Sequence, residues 1–204
     1  MNAIEIVDNI ARKLIQVLEL QPEVEFIPTK DYGWENYRWC STNFRLAHIQ
    51  IFKQEKFCVI HCCVFPHTTD PAPVYGFDVI AGENKITGVF LDLSPTILPP
   101  TPFTNLDTEV ERNRPEWGDI FSPFWLACRP NLAEMELIGN EAVVVLKDYL
   151  QTLGKVDNQK IIVEKQNYYC KQQQKNPHTR KALINLLGEE GADEFMTQVL
   201  FPVI

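Results

Sequence analysis

The chain has 204 residues, of which 45% are hydrophobic and 11% aromatic, and this composition favours one globular domain spanning residues 1–204. With 27 acidic and 19 basic side chains the net charge is -8 and the pI about 5.0, so a nucleic-acid partner is not expected. The sequence shows neither a secretory signal pattern nor a run of about 18 apolar residues. We therefore expect a cytoplasmic protein without a membrane partner.

The first half of the chain predicts one helix followed by a series of strands. Apolar residues recur at helical spacing from residue 2 to residue 20, and Pro22 closes this amphipathic helix. Short β-branched or aromatic runs follow, separated by polar turns such as KQEK and GENK, and they predict an antiparallel meander. The predicted strands are 24–27, 34–41, 44–52, 57–65, 74–81 and 86–93.

The second half of the chain is predicted to be mainly helical. A proline-rich loop at 94–103 precedes a polar helix at 104–114, and an apolar period predicts a further helix at 131–153. The last helical segment, from about 158 to 199, breaks at Asn176-Pro177, because proline disfavours helix in the residue before it. A sheet with helices before and after it must bury both faces. The predicted fold class is therefore α/β, a three-layer α/β/α sandwich with a central antiparallel sheet.

The cysteines and nearby histidines raise the question of a zinc site. Six cysteines lack a regular disulfide spacing, and we expect them to be reduced. Five possible ligands lie close in sequence, namely Cys58, His61, Cys62, Cys63 and His67. However, adjacent cysteines point to opposite faces of a strand, and no CxxC pair supplies further ligands. We predict no metal, and the sequence contains no GxSxG, P-loop or GxGxxG motif that would indicate a cofactor.

His61 and Asp78 each interrupt an otherwise apolar run, where an unpaired ionisable group is costly. In an antiparallel hairpin, the sequence numbers of facing residues have a constant sum that is set by the centre of the turn. A turn centred on Thr69 and Asp70 gives a sum of 139 and places His61 opposite Asp78. Taken alone, His61 could equally be a hydrogen-bonded histidine of the core, and Asp78 could be a carboxylate that accepts from backbone amides of a turn. Because the two residues are predicted to face each other across neighbouring strands, we favour a functional pair.

The same rule extends this row to a third strand. With the turn centred in KQEK, the sum is 109 and His48 is predicted to lie opposite His61. Gln50 and Thr87 are predicted to share the face, since side chains alternate with a period of two. A carboxylate beside two imidazoles is a candidate array for proton transfer, provided that no bulge shifts the register.

Residues 165–181 hold five basic side chains and no acidic one, although the whole chain carries a charge of -8. Such a run is commonly only a solvated helix face. Its contrast with the rest of the chain also fits an acidic protein partner or the carboxylates of a ligand, and both readings stay open. The basic residues are Lys165, Lys171, Lys175, Arg180 and Lys181.

Several stretches resemble the ferredoxin-dependent bilin reductases, in the order and at the spacing of that family. The resemblance implies an α/β/α sandwich that holds biliverdin IXα, an open-chain tetrapyrrole, between the sheet and the C-terminal helices. It also implies single electrons from reduced ferredoxin, a radical on the bound bilin, and no bound metal, flavin or nicotinamide. No dimer signature is visible in the sequence, so we expect a monomer. The matching stretches are WENYRWCSTNFRLAH, VIHCCVFP, DPAPVYGFDVIAGENKITGVFLDLSP, RPEWGDIFS, QQQKNPHT and MTQVLFPVI.

The resemblance also assigns roles to individual residues. Asp78 matches the central proton donor of the family, His61 matches the histidine beside it, and His48 matches a histidine that sets the protonation of His61. Among the matched substrate-binding positions, Thr87 and Arg112 are implied to bind the propionates, and Gln173 and Asn176 to face the bilin. His178, with Arg180 close by, stands where some members have a propionate-binding lysine. Gln50 is a further matched position.

Gln50 departs from the family pattern. In phycocyanobilin-forming members this position resembles a glutamate that protonates the D-ring vinyl group, and an amide cannot supply that proton. We therefore predict a four-electron reduction of biliverdin IXα, through 15,16-dihydrobiliverdin, to phycoerythrobilin, as in the similar phage-type phycoerythrobilin synthases. A phycocyanobilin-forming reductase and a non-catalytic bilin carrier are the alternatives.

Overall fold

The computed structural model describes residues 1–97, 116–151 and 154–204. The helix predicted at 104–114 and the propionate-binding residue predicted at Arg112 lie outside these ranges. None of the helices within them combines the length and apolar character needed to cross a membrane.

Helix α1 (Ala3–Glu19) confirms the helix predicted for residues 2–20. It begins with a capping box, in which the Asn2 side chain accepts from the Glu5 N–H and the Glu5 carboxylate accepts from the Asn2 N–H. Two amide donors at the end of the helix are thereby satisfied. The apolar side of α1, including Ile10 and Leu14, is buried.

Seven antiparallel strands form one sheet in the described ranges, and each strand pairs with its neighbours in sequence. This order confirms the meander predicted for the first half of the chain, where short connections join adjacent strands. The seventh strand was not predicted, because its sequence reads only as part of an aromatic stretch. The strands are β1 (Glu25–Phe26), β2 (Glu35–Cys40), β3 (Leu46–Gln54), β4 (Phe57–Phe65), β5 (Val74–Gly82), β6 (Ile86–Ser94) and β7 (Trp125–Cys128).

The register of the central strands confirms one prediction and corrects another. His61 lies opposite Asp78 in the β4–β5 pair, as predicted. The predicted pairing of His48 with His61 is wrong, because Gln50 takes that position in the β3–β4 pair. The β3–β4 turn is centred one residue later than assumed, which shifts the register by two residues. Since side chains alternate with a period of two, His48 still lies on the same face of the sheet as His61.

Helices cover both faces of the sheet, which confirms the predicted α/β/α sandwich. One apolar core lies between the sheet and the helices α1 and α2 (Leu132–Gln151), and a second lies between the sheet and the C-terminal helices. Cys62 belongs to the first core and Cys63 to the second, as expected for adjacent residues of a strand. Gly139 permits close packing of α2 on α1, since a Cβ atom there would lie 2.2 Å from Ile10 Cδ1. The remaining helices are a 3-10 turn (Gly118–Ile120), α2 (Leu132–Gln151), α3 (Gln159–Gln173), α4 (Pro177–Glu194) and a π-helix (Phe195–Leu200).

The C-terminal helices are separated where the sequence predicted a break. Asn176 caps α4, and its side-chain oxygen accepts from the backbone N–H groups of His178 and Thr179. Pro177 occupies the first turn, where its missing N–H removes no helical hydrogen bond. Gly188, with a φ of 75°, then interrupts α4.

Candidate active site

A histidine and a carboxylate meet near the centre of the sheet. His61 Nδ1 lies 2.5 Å from Asp78 Oδ1 across the β4–β5 pair, so the two groups share a hydrogen bond whose proton can sit on either atom. The side chain of His61 is 12% exposed and that of Asp78 is 29% exposed, so the carboxylate is the more accessible member of the pair.

Gln50 lies beside this pair, directly opposite His61 on β3. Trp34 Nε1 donates to Gln50 Oε1 over 3.1 Å, and Gln50 Nε2 donates to Asn36 Oδ1 over 2.5 Å. The residue is buried, and hydrogen bonds at both ends fix the orientation of its amide. The neutral amide offers two donors and an acceptor at this position but no acidic proton.

His48 lies diagonally from His61 in the sheet, and the two ring centroids are 5.1 Å apart. His48 Nε2 is 2.9 Å from the carbonyl oxygen of Leu200, which can only accept, so Nε2 carries the proton. Burial lowers the pKa of His48 well below its ordinary value, and the neighbouring His61 and Arg38 lower it further. His48 is therefore a neutral imidazole whose Nδ1 is unprotonated.

Two ring nitrogens in this cluster are buried without a hydrogen-bond partner among the described residues. They are Nδ1 of His48 and Nε2 of His61. Such atoms are rare, because leaving a buried polar group unpaired costs about 1–3 kcal/mol. Their occurrence on adjacent rings indicates a position where water or a ligand completes the hydrogen bonding.

An aromatic cluster flanks the carboxylate on the other side, and sequence reasoning missed it. Phe90 lies directly opposite Asp78 in the β5–β6 pair. Phe121 stacks on Phe90 and on Trp125, with ring centroids 5.6 and 4.2 Å apart, and Trp117 lies 5.4 Å from Phe90. Stacked rings of this kind suit contact with a planar conjugated molecule. The available signal was the stretch WGDIFSPFW, whose aromatic residues are close in sequence.

Asp92 is a second buried carboxylate on the same face as Asp78, and no role was predicted for it. It is 2% exposed, and Ser122 Oγ donates to it over 2.5 Å. Burial raises the pKa of Asp92 to about 7, although the hydrogen bonds from Ser122 act in the opposite direction. Ser122 follows Trp117 and Phe121 in the chain, so this contact fastens the aromatic cluster to the sheet.

Two predicted residues on the C-terminal helices make contacts within the protein. Gln173 is buried, and its Nε2 donates to the Ile120 carbonyl oxygen over 3.1 Å. The side-chain oxygen of Asn176 is engaged in capping α4. Their predicted contacts with the bilin stay predictions.

Three other predicted binding residues contact groups other than His61 and Asp78. Thr87 lies beside an irregularity in the β5–β6 register, and its hydroxyl donates to the Ile80 carbonyl oxygen. His178 is exposed, with its ring 5.2 Å from that of Trp117, which places it at the aromatic cluster. Arg180 forms an ion pair with Asp193 on the surface.

A cleft of about 770 Å³ lies elsewhere in the molecule. Its lining includes Glu25, Arg45, His67 and Lys155 and none of the predicted site residues. We place the candidate active site at His61 and the polar side chains around it, and not at this cleft. Within the described ranges, no group of three or more histidine, cysteine, aspartate or glutamate residues could hold a metal ion.

Comparisons with known proteins agree with this architecture. Phycocyanobilin:ferredoxin oxidoreductase of a Synechococcus strain is 33% identical over 185 residues, covering 82% of this chain and 75% of the relative. The protein of the same name from Trichodesmium erythraeum is 28% identical over 192 residues. The solved structure of a PcyX protein matches with a TM-score of 0.70 and 27% identity, covering 97% of this chain and 99% of that one. Phytochromobilin synthase from tomato, in complex with biliverdin, shares the fold with a TM-score of 0.58 and 12% identity, covering 97% of this chain and 82% of that one.

An antiparallel sheet between two helical layers, with these relatives, defines a class of redox enzymes that act on open-chain tetrapyrroles. The model of the family "Ferredoxin-dependent bilin reductase" matches residues 5–202. The chain belongs to this family and is a ferredoxin-dependent oxidoreductase.

Proposed function

We propose that the protein reduces biliverdin IXα with single electrons from reduced ferredoxin and forms phycoerythrobilin through 15,16-dihydrobiliverdin. Family membership supports the reaction class, and the tomato synthase of the same fold is known in complex with biliverdin. In this proposal the bilin lies between the sheet face that carries Asp78 and the C-terminal helices. The protein binds no metal, flavin or nicotinamide of its own and acts as a monomer.

The chemistry requires protons as well as electrons. Each of the two reductions adds two electrons and two protons, first across the C15 methine bridge and then across the A-ring diene. Ferredoxin delivers one electron at a time, so the bilin carries an unpaired electron between deliveries. In the proposed step Asp78, the more exposed member of the pair, holds a proton and gives it to the bilin. A proton that reaches His61 from solvent then passes to the Asp78 carboxylate across their 2.5 Å contact.

The amide of Gln50 is the observation that carries the choice of product. It lies opposite His61, and both of its ends are held by hydrogen bonds within the protein. Because an amide is not an acid at neutral pH, it cannot protonate a vinyl group as the matching glutamate of phycocyanobilin-forming members does. The D-ring vinyl group is therefore left unreduced.

Ferredoxin is proposed to dock on the basic surface formed by the 165–181 stretch. The four lysines of this stretch are exposed on α3, on α4 and in the turn between them, whereas Arg180 is paired with Asp193. An acidic electron carrier is attracted to such a surface through a small, salt-sensitive contact.

Product analysis tests the proposed function. The protein is incubated anaerobically with biliverdin IXα and reduced ferredoxin, and the products are separated by chromatography. We expect 15,16-dihydrobiliverdin to appear first and phycoerythrobilin to accumulate. A product with a D-ring ethyl group would overturn the argument from Gln50.

A phycocyanobilin-forming reductase is the second candidate. The 33% identity to phycocyanobilin:ferredoxin oxidoreductase favours it, as does His61, which matches the histidine of that branch. The same assay separates the two, because phycocyanobilin carries the D-ring ethyl group. Tight binding of biliverdin without any ferredoxin-dependent turnover would instead indicate a bilin carrier.

A further inference from the structure

Side-chain amides of α3 and of the residue that follows it hold several distant segments of the chain. Each amide nitrogen donates to a backbone oxygen outside the helix, at distances of 2.7 to 3.1 Å. This explains why a helix so rich in glutamine and asparagine packs against the sheet, since buried amides need partners. The donor and acceptor pairs are Gln166 with Pro66, Asn167 with Ile204, Gln173 with Ile120, and Gln174 with Phe201.

Two of these amides fasten the segment 201–204, which follows the π-helix. Asn167 binds the backbone of Ile204 twice, because its Nδ2 donates to the Ile204 oxygen over 2.7 Å and its Oδ1 accepts from the Ile204 N–H over 2.8 Å. Gln174 Nε2 donates to the Phe201 carbonyl oxygen over 2.8 Å. Both amides are only partly buried, so replacing them does not empty the core.

The fastened segment reaches the histidines of the candidate active site. The Phe201 ring lies edge-on to His61, with centroids 5.4 Å apart. The carbonyl oxygen of Leu200, the last residue of the π-helix, accepts from His48 Nε2 over 2.9 Å. Leu200 therefore determines which nitrogen of His48 is protonated, and Phe201 closes one side of His61.

We propose that Asn167 and Gln174 are positioning residues that hold residues 200–204 against the histidines and thereby keep His48 in its Nε2–H tautomer. Nδ1 of His48 is then always the unprotonated nitrogen beside His61. Without the two amides, the described contacts that remain are the apolar packing of Leu200 and Phe201, the hydrogen bond from the Phe201 N–H to the Met196 oxygen, and that from the Cys170 thiol to the Pro202 oxygen. In this proposal they do not suffice to keep the Leu200 oxygen on His48. The inference concerns the histidine geometry of the unliganded protein, and its importance for turnover rests on the proposed function.

The test uses uncharged replacements of similar shape. Gln174→Met and Asn167→Leu each remove the donors without adding charge. Gln172→Met is the matched control, because the side-chain oxygen of Gln172 accepts from Lys175, which follows α3 on the surface, rather than contacting residues 200–204. Nitrogen-15 NMR of the imidazoles reports tautomer and titration directly, with the His48 signals assigned by their loss in His48→Gln.

We expect the control and the unmodified protein to show His48 in the Nε2–H form alone, without titration in the ordinary histidine range. In Gln174→Met and Asn167→Leu, the two nitrogen shifts should move toward each other as the Nδ1–H form appears. Unchanged His48 signals in both folded variants would overturn the proposal, even if their thermal stability fell. Should one variant fail to fold, the other still gives the answer.

Because this measurement needs neither biliverdin nor ferredoxin, it is independent of the proposed function. If the variants lose the His48 tautomer and the protein reduces biliverdin, the substrate radical should decay several times more slowly in the variants than in the control. A changed tautomer with an unchanged radical lifetime and product pattern would overturn the positioning role in turnover while leaving the proposed reaction intact.

Discussion

At the scale of single residues, the hydrogen bond between His61 and Asp78 determines which ring atom is available for chemistry. Asp78 occupies Nδ1 of the ring, so Nε2 remains for a further partner, and it is buried without one among the described residues. A proton can pass between the carboxylate and the ring without any movement of the backbone. This direct contact distinguishes the pair from a histidine that only fills the core.

Replacing Gln50 by glutamate tests the product assignment at this scale. A protonated glutamate would still accept from Trp34 and donate to Asn36, and burial favours the neutral acid. We expect part of the product of Gln50→Glu to gain a D-ring ethyl group, as detected by chromatography. Gln50→Leu, which has no acid, serves as the control and should gain none. An unaltered product pattern in an active Gln50→Glu variant would contradict the role given to this position.

Asp92 makes stability depend on pH. Burial raises its pKa to about 7, above the value of about 4 expected in an unfolded chain. The folded protein then holds a proton that the unfolded chain releases, so the free energy of unfolding falls as the pH rises between these values. Asp92→Asn removes this titration and should lose less stability from about pH 5 to about pH 8, by up to about 3 kcal/mol. Denaturant unfolding curves that shift equally with pH in both proteins would refute this.

At the scale of secondary-structure elements, the site could be predicted only as far as the turns could be located. The β4–β5 pairing was predicted correctly because the turn was centred in the right place, and this brought His61 and Asp78 together. The β3–β4 turn was placed one residue too early, which put His48 opposite His61 where the structure has Gln50. Polar turn residues such as those of KQEK do not fix the centre of a turn, whereas the alternation of apolar residues fixes the face.

Gly76, on β5, shows how closely α3 approaches the sheet at the site. A Cβ atom there would lie 2.9 Å from the Tyr169 hydroxyl oxygen, and the Tyr169 ring is packed near Phe65 and Phe201. We expect Gly76→Ala to lower the free energy of unfolding by about 1–3 kcal/mol, as measured by denaturant titration.

Gly82→Ala, on the same strand, is the matched control for this substitution. Its Cβ atom would meet nothing closer than 3.9 Å, so a change of less than about 0.5 kcal/mol is expected. Equal effects of the two substitutions would show that Tyr169 does not limit the space at Gly76.

At the scale of the whole molecule, the sandwich could be predicted from the sequence, but the way the second half closes the site could not. The spacing of apolar residues predicted helices, and the pair Asn176-Pro177 predicted the break between α3 and α4. The partners of α3 side chains lie far away in the chain, as for Gln166 with Pro66 at a separation of 100 residues and Tyr169 with Cys63 at 106. Such contacts depend on tertiary packing, and a polar helix sequence carries no signal for them.

The uneven distribution of charge gives a prediction for ferredoxin. Lys171→Glu and Lys175→Glu place negative charge on the exposed basic surface and should lower kcat/KM for ferredoxin severalfold, mainly through slower association. The same reversal at Lys147, exposed on α2 in the opposite helical layer, is the control and should have little effect. Added salt should reduce the difference, because it screens exposed charges. Equal rates in all three variants at low salt would place the docking surface elsewhere.

The most direct test of the central claim follows the bilin radical in Asp78→Asn. The variant protein is loaded with biliverdin and supplied anaerobically with reduced ferredoxin, while electron paramagnetic resonance and absorption spectra are recorded. Because asparagine keeps the size of the side chain but cannot give up a proton, we predict normal binding and a substrate radical that persists with little product. Turnover at the unmodified rate would contradict the assignment of Asp78 as the proton donor.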